Sequence, residues 1–429
     1  MIDSRKAFLT AVRAFFLFLL SWSVLGLQSA LAVKVVIACG AVGIERQLCI
    51  EGAERWASQT GNEVDVIATP ESSTERLAMY QLLLRERHDT VDVFQIDVIW
   101  PGLLHQWLLD LTPYINDQDA FFPNLVANNT IDDRLIALPW YVDTGLLYYR
   151  QDLLQQYGHS VPETWHDLER IALDVQNQQR SRSPDFWGYV WQGSDYEGLT
   201  CNIVEWLVSA DAGNVVNENQ EVTLNNQAAI GALEQAAGWV GQITPREVLD
   251  YREEDARAHF ESGNALFMRN WPYAWSLGNR EGSTVAGKIG VTVLPRGDNG
   301  QSTGALGGWQ LGVTQATRHP DEAVDLIRFL TSEAEQRRRT EHGYLPTRSA
   351  LYEDPSVTGQ NPLFEPVGRA LENVALRPSS ATDRLYKHVS RYLSQETHDV
   401  LAGRKSAEAA VESITQRIVD KSLGRYTVQ

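Results

Sequence analysis

The sequence predicts an α/β fold built on a parallel sheet, and two observations lead to this prediction. Residues 91–100 form a nearly continuous run of β-branched and aromatic residues that ends at Pro101-Gly102. Such a run is typical of a strand that is buried on both faces, as in a parallel sheet. Before it, short apolar runs alternate with helical periodicity, and the order strand–helix–strand–helix–strand predicts a sheet wrapped by helices.

The first third of the chain supplies these elements in order. A strand is predicted at 33–38 and a helix at 45–59, which stops at Thr60-Gly61 because glycine readily adopts the left-handed conformation. A second strand follows at 64–68. The next helix begins near residue 72, where a serine or threonine can cap the first free N–H groups.

The alternation continues to the C-terminus with no internal repeat and no low-complexity linker. Two lobes without a linker would have to be joined by several crossings of the chain. Strands are predicted at 135–140, 146–149, 186–192, 265–268 and 288–294; helices are predicted at 152–157, 165–178, 200–210, 228–242, 253–261 and 321–340, and helical material within 383–423. The run Arg337-Arg338-Arg339 is interpreted as a solvated helix face.

Composition and charge narrow the class of protein. The chain has 429 residues, of which 43% are hydrophobic and 21% charged, an ordinary globular composition with enough length for two lobes. The net charge of -18 argues against nucleic-acid binding, because an acidic surface repels phosphates.

The N-terminus predicts export. Arg5 and Lys6 precede an apolar core at 14–27, and Ala30-Leu31-Ala32 has the small–x–small pattern of a cleavage site. We therefore expect residues 1–32 to be a cleaved signal peptide and the mature protein to be periplasmic, either free or membrane-associated. The alternative is an uncleaved anchor, although the apolar core is short for a bilayer.

The three cysteines fit an oxidising compartment. Cys39 and Cys49 lie ten positions apart and predict a small disulfide loop, which leaves Cys201 as a buried free thiol. In a second interpretation Cys39 is a lipid-modified first residue, since Val36-Ile-Ala-Cys39 loosely fits that pattern. The position of Cys39 at the end of a predicted strand argues against it.

Eight segments, in order along essentially the whole mature chain, resemble the extracytoplasmic solute-binding proteins of ABC sugar importers. The branch that they resemble most is the trehalose/maltose-type and glucosylglycerol-type disaccharide binders. The segments are Ala38-Cys-Gly-Ala-Val-Gly43, Ser72-Ser-Thr-Glu-Arg-Leu77, Val93-Phe-Gln-Ile-Asp-Val-Ile-Trp-Pro-Gly102, Leu138-Pro-Trp-Tyr-Val-Asp-Thr-Gly145, Tyr196-Glu-Gly-Leu-Thr-Cys-Asn202, Phe260-Glu-Ser-Gly-Asn-Ala-Leu-Phe-Met268, Ile289-Gly-Val-Thr-Val-Leu-Pro295 and Gly343-Tyr-Leu-Pro346.

The resemblance implies a periplasmic-binding-protein-like fold: two α/β lobes joined by hinge segments, with a ligand cleft between them. The N-terminal lobe would comprise 33–142 plus 288–331, and the C-terminal lobe 143–287 plus 332–429, with crossings near 141–142, 287–288 and 331–332. The implied partners are a disaccharide or glucosylglycerol and a membrane permease with a cytoplasmic ATPase. We expect a monomer that needs no cofactor; the chain contains no G-x-x-x-x-G-K-[ST] loop.

A sugar site needs hydrogen-bonding acceptors and flat apolar walls. Trp271, Tyr273 and Trp275 form the densest aromatic cluster and could share one side of an extended segment. We expect Trp271 to wall the site, then Tyr273, and least of all Trp275; core packing is the alternative for each. Trp309 follows Gly307-Gly308, where glycines allow the backbone to approach a ligand closely.

The resemblance carries further positions over individually. Some of these positions also have a purely structural explanation. Glu45 could be an acidic residue in the first turn of a helix, Asp97 could cap the next helix, and Arg76 and Arg377 could form surface ion pairs. The positions that match ligand-binding ones are Glu45, Arg76, Asp97, Asp143, Gly308, Trp309 and Arg377, with Glu197 as a weaker addition.

Three functions compete at this point. The first is a binder that feeds an importer, and the second is an exported glycoside hydrolase that uses two carboxylates such as Asp97 and Asp143. The third, a protein that presents its closed lobes to a receptor, is compatible with the first. The sequence contains neither an H-E-x-x-H nor a G-x-S-x-G motif, so we expect neither a metal site nor nucleophilic catalysis by a serine. The family pattern and the absence of a recognisable hydrolase motif favour the binder over the hydrolase, so we expect a protein that is not an enzyme.

Overall fold

The computed structural model describes residues 32–87, 89–217, 219–298, 300–359 and 361–428. Of the predicted signal peptide, only Ala32 lies within the described residues. Among the helices of this described part, none has the length and apolar character needed to cross a bilayer.

The first lobe is built on a six-stranded sheet. Three parallel strands form one half of it, in register so that Ile37 pairs with Val93 and Val35 pairs with Val64. The longest strand of the sheet runs antiparallel to two of its neighbours. In spatial order the strands are Val374–Ala375, Gly304–Val313, Val93–Asp97, Lys34–Ala38 and Glu63–Ile67, and Leu138–Thr144 also pairs with Gly304–Val313.

Helices cover this sheet. The first ends at Gly61, whose φ of 76° is left-handed, and the Ser72 hydroxyl caps the second by accepting a hydrogen bond from the Glu75 N–H at 3.3 Å. Both features were predicted. The α-helices of this part of the chain are Glu45–Thr60, Ser73–Arg85, Pro101–Leu104, Pro123–Asn128, Pro320–Leu330 and Glu333–Thr340; the 3₁₀ helices are His105–Trp107 and Gln118–Ala120; Thr130–Ile131 pairs with Arg134–Leu135.

The second lobe is built on a four-stranded mixed sheet in the order Ile289–Thr292, Leu146–Arg150, Ala265–Asn270, Trp187–Val190. Only the last two strands are parallel. The α-helices of the remaining chain are Gln151–Tyr157, Trp165–Gln179, Glu197–Ser209, Gln227–Trp239, Glu253–Glu261, Tyr273–Gly278, Pro355–Thr358, Phe364–Glu372, Ser379–Thr382, Tyr386–Leu401 and Ala407–Lys421. Three 3₁₀ helices, Arg246–Asp250, Ser349–Tyr352 and Asp383–Leu385, and the paired strands Glu221–Val222 and Thr427–Val428 complete the described chain.

The predicted α/β class with two lobes is confirmed, but two elements differ from expectation. The strand Gly304–Val313 was not predicted, because its four glycines and its glutamine hide the β pattern. The single helix predicted at 321–340 is two helices, since the Ser332 hydroxyl accepts from the Glu335 N–H and starts a new helix.

The predicted crossings between the lobes lie at different residues. Gly145 separates a strand of the first sheet from a strand of the second, three residues beyond the prediction. The crossing at 287–288 is wrong: Ile289–Thr292 still pairs in the second sheet, so the chain returns between 293 and 303. Beyond the predicted crossing at 331–332 the chain still contacts the first lobe, since Glu335 accepts two hydrogen bonds from Arg55.

The predicted disulfide is present. It joins Cys39, directly after the first strand, to Cys49 in the first helix, and Cys201 is a buried free thiol. The disulfide uses the sulfur that lipid modification would need, so the alternative interpretation of Cys39 does not fit the structure. The disulfide closes the short loop that carries Glu45.

Candidate functional site

A cavity lies between the two lobes. We call it the interlobe cavity. The structure brings all ten predicted site residues together on its walls: Glu45, Arg76, Asp97, Asp143, Glu197, Trp271, Tyr273, Gly308, Trp309 and Arg377.

Arg377 joins the two lobes across this cavity. Its Nη2 donates to Asp97 Oδ1 at 2.7 Å, and its Nη1 donates to Glu197 Oε1 at 3.1 Å. Asp97 ends a strand of the first sheet, whereas Glu197 begins a helix of the second lobe. All three side chains are buried, and such charge-assisted hydrogen bonds are stronger than neutral ones. One guanidinium therefore holds a carboxylate from each lobe.

Glu197 has further donors. Its carboxylate accepts from the Ser390 hydroxyl at 2.6 Å and from the Tyr386 hydroxyl. Burial raises the pKa of Glu197, and the charge of Arg377 partly opposes this rise. The Glu197 backbone N–H also donates to Thr74 Oγ1 at 3.1 Å, which adds a second contact between the lobes.

Both carboxylate oxygens of Glu45 already accept hydrogen bonds from the protein itself. One carboxylate oxygen accepts from the Ala41 N–H at 2.9 Å, and the other accepts from Gln95 Nε2 at 3.3 Å and from the Tyr141 hydroxyl. The carboxylate therefore orders the turn that precedes its helix while it lines the cavity.

Asp143 is the opposite case. No hydrogen bond to its carboxylate comes from the part of the chain that the structure describes, although the residue is buried. Burial, and next the charge of Glu45, raise the pKa of Asp143 to about 8, against an ordinary value of 3.8. Burial therefore favours the protonated form of Asp143, which can donate as well as accept a hydrogen bond.

Trp309 forms one aromatic wall. The Arg76 guanidinium lies over its ring, 4.3 Å from the ring centre, and Trp100 contacts it edge-on with 5.5 Å between centres. Arg76 Nε donates to the Pro70 carbonyl at 3.1 Å, whereas its Nη1 is buried with no partner among the described residues. An acceptor on a ligand could satisfy that N–H.

Trp271 forms the other wall. Its Nε1 donates to Glu253 Oε1 at 3.4 Å, and the Tyr273 hydroxyl donates to Glu254 Oε1 at 2.7 Å. The predicted extended segment is wrong, because Tyr273–Gly278 is a helix. Residues two apart on a helix point in different directions, and Trp275, which is half-buried, packs against an apolar cluster that includes Phe260 and Met268 instead of lining the interlobe cavity.

Gly307 allows the two walls to approach each other, and Gly308 allows its strand to lie close to the neighbouring strand. A Cβ on Gly307 would lie 2.8 Å from Cζ3 of Trp271. Gly308 has a φ of +129°, and a Cβ there would lie 2.6 Å from the Tyr141 carbonyl oxygen. Both distances are too short for any side chain, which explains why glycine precedes Trp309.

Several cavity residues were not predicted. Tyr344 belongs to a segment that carried the resemblance, and this was a signal for its place in the site; its hydroxyl is buried with no partner among the described residues. Glu253 is an acidic residue in the first turn of a helix, which is a common arrangement, so nothing in the sequence distinguished it from acidic residues outside the site. The other lining residues are Val42, Glu71, Ser73, Gly198, Cys201 and Gly307.

The interpretation of Arg337-Arg338-Arg339 as a solvated face holds for only two of the three residues. Arg339 is buried, with its guanidinium 4.0 Å from the Trp140 ring centre and 4.7 Å from that of Tyr344. It therefore stacks behind the cavity wall.

The geometry suits an uncharged ligand that carries many hydroxyl groups. Carboxylates accept hydroxyl protons, and the two indoles offer flat apolar surfaces. Within the described ranges, no group of three or more histidine, cysteine, aspartate and glutamate side chains could hold a metal ion.

Comparison with known proteins identifies the family. Residues 50–337 match the family described as bacterial extracellular solute-binding protein. A probable ABC transporter-binding protein of Deinococcus radiodurans is 42% identical over 391 residues, which cover 90% of this chain and 93% of that protein. The maltodextrin-binding protein MdxE of Bacillus subtilis is 24% identical over 53% of this chain and 52% of its own length.

Solved structures agree with this assignment. Maltose-bound MalE3 of T. maritima superimposes with a TM-score of 0.85 at 36% identity, covering 91% of this chain and 100% of that one. The GacH receptor of Streptomyces glaucescens shares the fold, with a TM-score of 0.78 at 22% identity over 91% and 98% of the two chains. Because the homologues are solute-binding proteins, the expectation that this chain is not an enzyme is confirmed. The chain belongs to the bacterial extracellular solute-binding protein family.

Proposed function

We propose that this chain is the exported substrate-binding component of an ABC importer and that its ligand is a disaccharide or glycosidic compatible solute. Trehalose, sucrose, maltose and glucosylglycerol are the candidates. The protein would deliver the sugar to a membrane permease that is driven by a cytoplasmic ATPase.

One observation carries this proposal: the interlobe cavity combines carboxylates and indoles from both lobes. Asp97 and Trp309 come from the first lobe, and Glu197 and Trp271 from the second. The similarity to MalE3, whose structure holds maltose, supports a ligand of the size of a disaccharide.

The arrangement suggests how binding would be transmitted. A sugar that bridges both walls makes its full set of contacts only when the lobes are closed, so it favours the closed state. The permease would then recognise that state. Small-angle scattering would show a smaller radius of gyration at saturating sugar, and an unchanged radius would contradict the closure mechanism.

The test is isothermal titration calorimetry of the mature protein against the four candidates, with glucose and glycerol as size controls. We expect one disaccharide-sized compound to bind at least tenfold more tightly than glucose. Product analysis after overnight incubation should find no released monosaccharide, since release would favour the hydrolase. Absence of binding for all four up to about 1 mM, which corresponds to a binding free energy of only about −4 kcal/mol, would contradict the proposal.

A further inference from the structure

Three segments that connect or border the two sheets meet at one point, which we call the joint. It consists of Gly145, Ala305 and Ala375. The Gly145 N–H donates to the Ala305 carbonyl at 3.3 Å, and Ala305 pairs with Ala375 in a parallel register. Gly145 lies between the two sheets, and Ala375 is two residues from Arg377, which holds a carboxylate from each lobe.

A buried ion pair lies against this joint. Arg269 Nη2 donates to Glu205 Oε1 at 2.5 Å, and Arg269 Nε donates to Glu205 Oε2 at 3.0 Å. The same Oε1 accepts from the Ala305 N–H at 2.9 Å. A Cβ on Gly145 would lie 2.0 Å from this oxygen, so the crossing segment passes directly over the ion pair. Both charged side chains are fully buried, at 0% and 1% exposure.

The other face of Arg269 contacts the interlobe cavity wall. Its guanidinium lies 4.1 Å from the ring centre of Trp271. Gln192 fixes the remaining position, because its Oε1 accepts from Arg269 Nη1 at 3.2 Å and its Nε2 donates to the Arg269 carbonyl at 3.1 Å. One rigid planar group therefore touches both the cavity wall and, through Glu205, the joint.

We infer that Glu205 and Arg269 are positioning residues that couple the Trp271 wall to the joint between the lobes. This inference rests on the proposed function, because it assigns the pair a part in ligand-driven closure. A planar guanidinium with two parallel bonds to one carboxylate cannot tilt without breaking one of them. A ligand that fixes Trp271 therefore fixes the orientation of Arg269, and Glu205 passes that orientation to the Ala305 N–H.

The main test replaces Arg269→Lys, which keeps the charge but removes the planar stack and the paired bonds. The control is Arg55→Lys, because Arg55 makes the matching two-bond pair with Glu335 but lines no part of the interlobe cavity. Three properties are measured: affinity for the best sugar, the change in radius of gyration on binding, and ligand-free hydrogen–deuterium exchange of peptides covering 144–146 and 304–306.

For Arg269→Lys we expect at least fivefold weaker binding, a smaller change in radius of gyration and faster exchange at the joint. For Arg55→Lys all three should stay within twofold of the natural protein. A purely structural role would lower thermal stability without changing closure. Binding within twofold together with unchanged exchange in Arg269→Lys would overturn the inference.

A second variant keeps the inference testable if Arg269→Lys does not fold. The double change Glu205→Gln with Arg269→Met removes both charges, a replacement that buried pairs often tolerate, and leaves an oxygen to accept from the Ala305 N–H. We expect this double variant to fold and still to bind sugar at least fivefold more weakly than the natural protein. If it binds with the affinity of the natural protein, or if neither variant folds, the pair contributes to stability alone. If the natural protein binds none of the four sugars, the proposed function fails, and exchange at the joint alone then decides the coupling.

Discussion

The carboxylates of the interlobe cavity differ in how many donors each already has. Asp97 and Glu197 share Arg377, and Glu45 accepts from two side chains and from the turn before it. Of the four buried carboxylates that line the cavity, Asp143 alone has no donor among the described residues. Asp143 therefore has the most hydrogen-bonding capacity left for a ligand among these four, and the other three shape the site.

The raised pKa of Asp143 predicts a pH-dependent stability. Between its ordinary pKa of 3.8 and its folded value of about 8, the folded protein keeps a proton that the unfolded chain has released. The free energy of unfolding therefore falls as pH rises through this window. Asp143→Asn removes the effect, so its stability relative to the natural protein should rise between pH 5 and pH 8, by at most about 1.4 kcal/mol per pH unit.

Urea unfolding at pH 5, 6.5 and 8 measures this difference. Asp152→Asn is the control: burial would raise the pKa of Asp152, but hydrogen bonds from Arg150 outweigh burial and lower it, so its titration lies below this pH range. Its stability difference should be flat. A flat difference for Asp143→Asn as well would show that Asp143 is ionised in the folded protein at neutral pH.

Two tryptophans, Trp309 in the strand Gly304–Val313 and Trp275 in the helix Tyr273–Gly278, separate ligand contact from packing. Trp309→Ala should weaken sugar binding by about 1–2 kcal/mol, or roughly fivefold to thirtyfold, because it removes a cavity wall and uncovers Arg76. Trp275→Ala should lower the melting temperature with affinity changed less than twofold, since Trp275 packs outside the interlobe cavity. Calorimetry and thermal melts on both variants would decide; equal loss of affinity would contradict the site.

At the scale of elements, the sequence predicts regular helices and apolar strands well and irregular ones poorly. The helix Glu45–Thr60 begins at its predicted residue and ends one residue beyond its predicted end, because periodicity and Gly61 mark it locally. The strand Gly304–Val313 was missed since its place between two neighbouring strands is decided by long-range pairing and not by its own composition. For the same reason the burial of Arg339 was not predictable: two of the three aromatic rings around it, Trp140 and Tyr141, belong to a strand about 200 positions earlier in the sequence.

The glycines of that strand give a prediction at this scale. Gly308→Ala should reduce the free energy of unfolding by about 1–3 kcal/mol, because a φ of +129° and a Cβ 2.6 Å from the Tyr141 carbonyl both strain the backbone. Gly238→Ala is the matched control in the helix Gln227–Trp239, where an added Cβ meets no atom within 4 Å. That change should stabilise by about 0.5–1 kcal/mol. If Gly308→Ala is as stable as the natural protein, the strand tolerates a side chain at this position.

For the whole molecule, the two-lobed class was predictable but the crossings were not. The ten predicted site residues lie between positions 45 and 377, and no periodicity relates them; apart from the aromatic cluster with Trp271 and Tyr273, only the family resemblance indicated that they share a cavity. The crossing points depend on which sheet each short strand joins. Ile289–Thr292 looks the same in sequence whichever sheet it pairs with, so its membership of the second sheet required the structure.

Charge gives a prediction for the whole molecule. The chain carries a net charge of -18, and six acidic residues but only two arginines line the cavity. The best sugar should therefore bind at least tenfold more tightly than its monophosphate, because like charges repel in a poorly solvated site. Calorimetry in 0.05 M and 0.5 M salt separates two contributions: salt screens the surface charge, whereas the cavity's discrimination should remain. If the sugar and its monophosphate bind with equal affinity at both salt concentrations, the prediction is contradicted.

The edge contact between Trp100 and Trp309 has a practical consequence. With 5.5 Å between ring centres, and with Arg76 over one face of Trp309, the environment of this indole changes when a sugar replaces water beside it. Indole fluorescence responds to such changes in polarity and to neighbouring cations. The fluorescence of the unlabelled protein should therefore follow ligand binding in real time. Trp309→Phe should reduce the shift of the emission maximum and leave the contribution of Trp271, the other indole that lines the cavity.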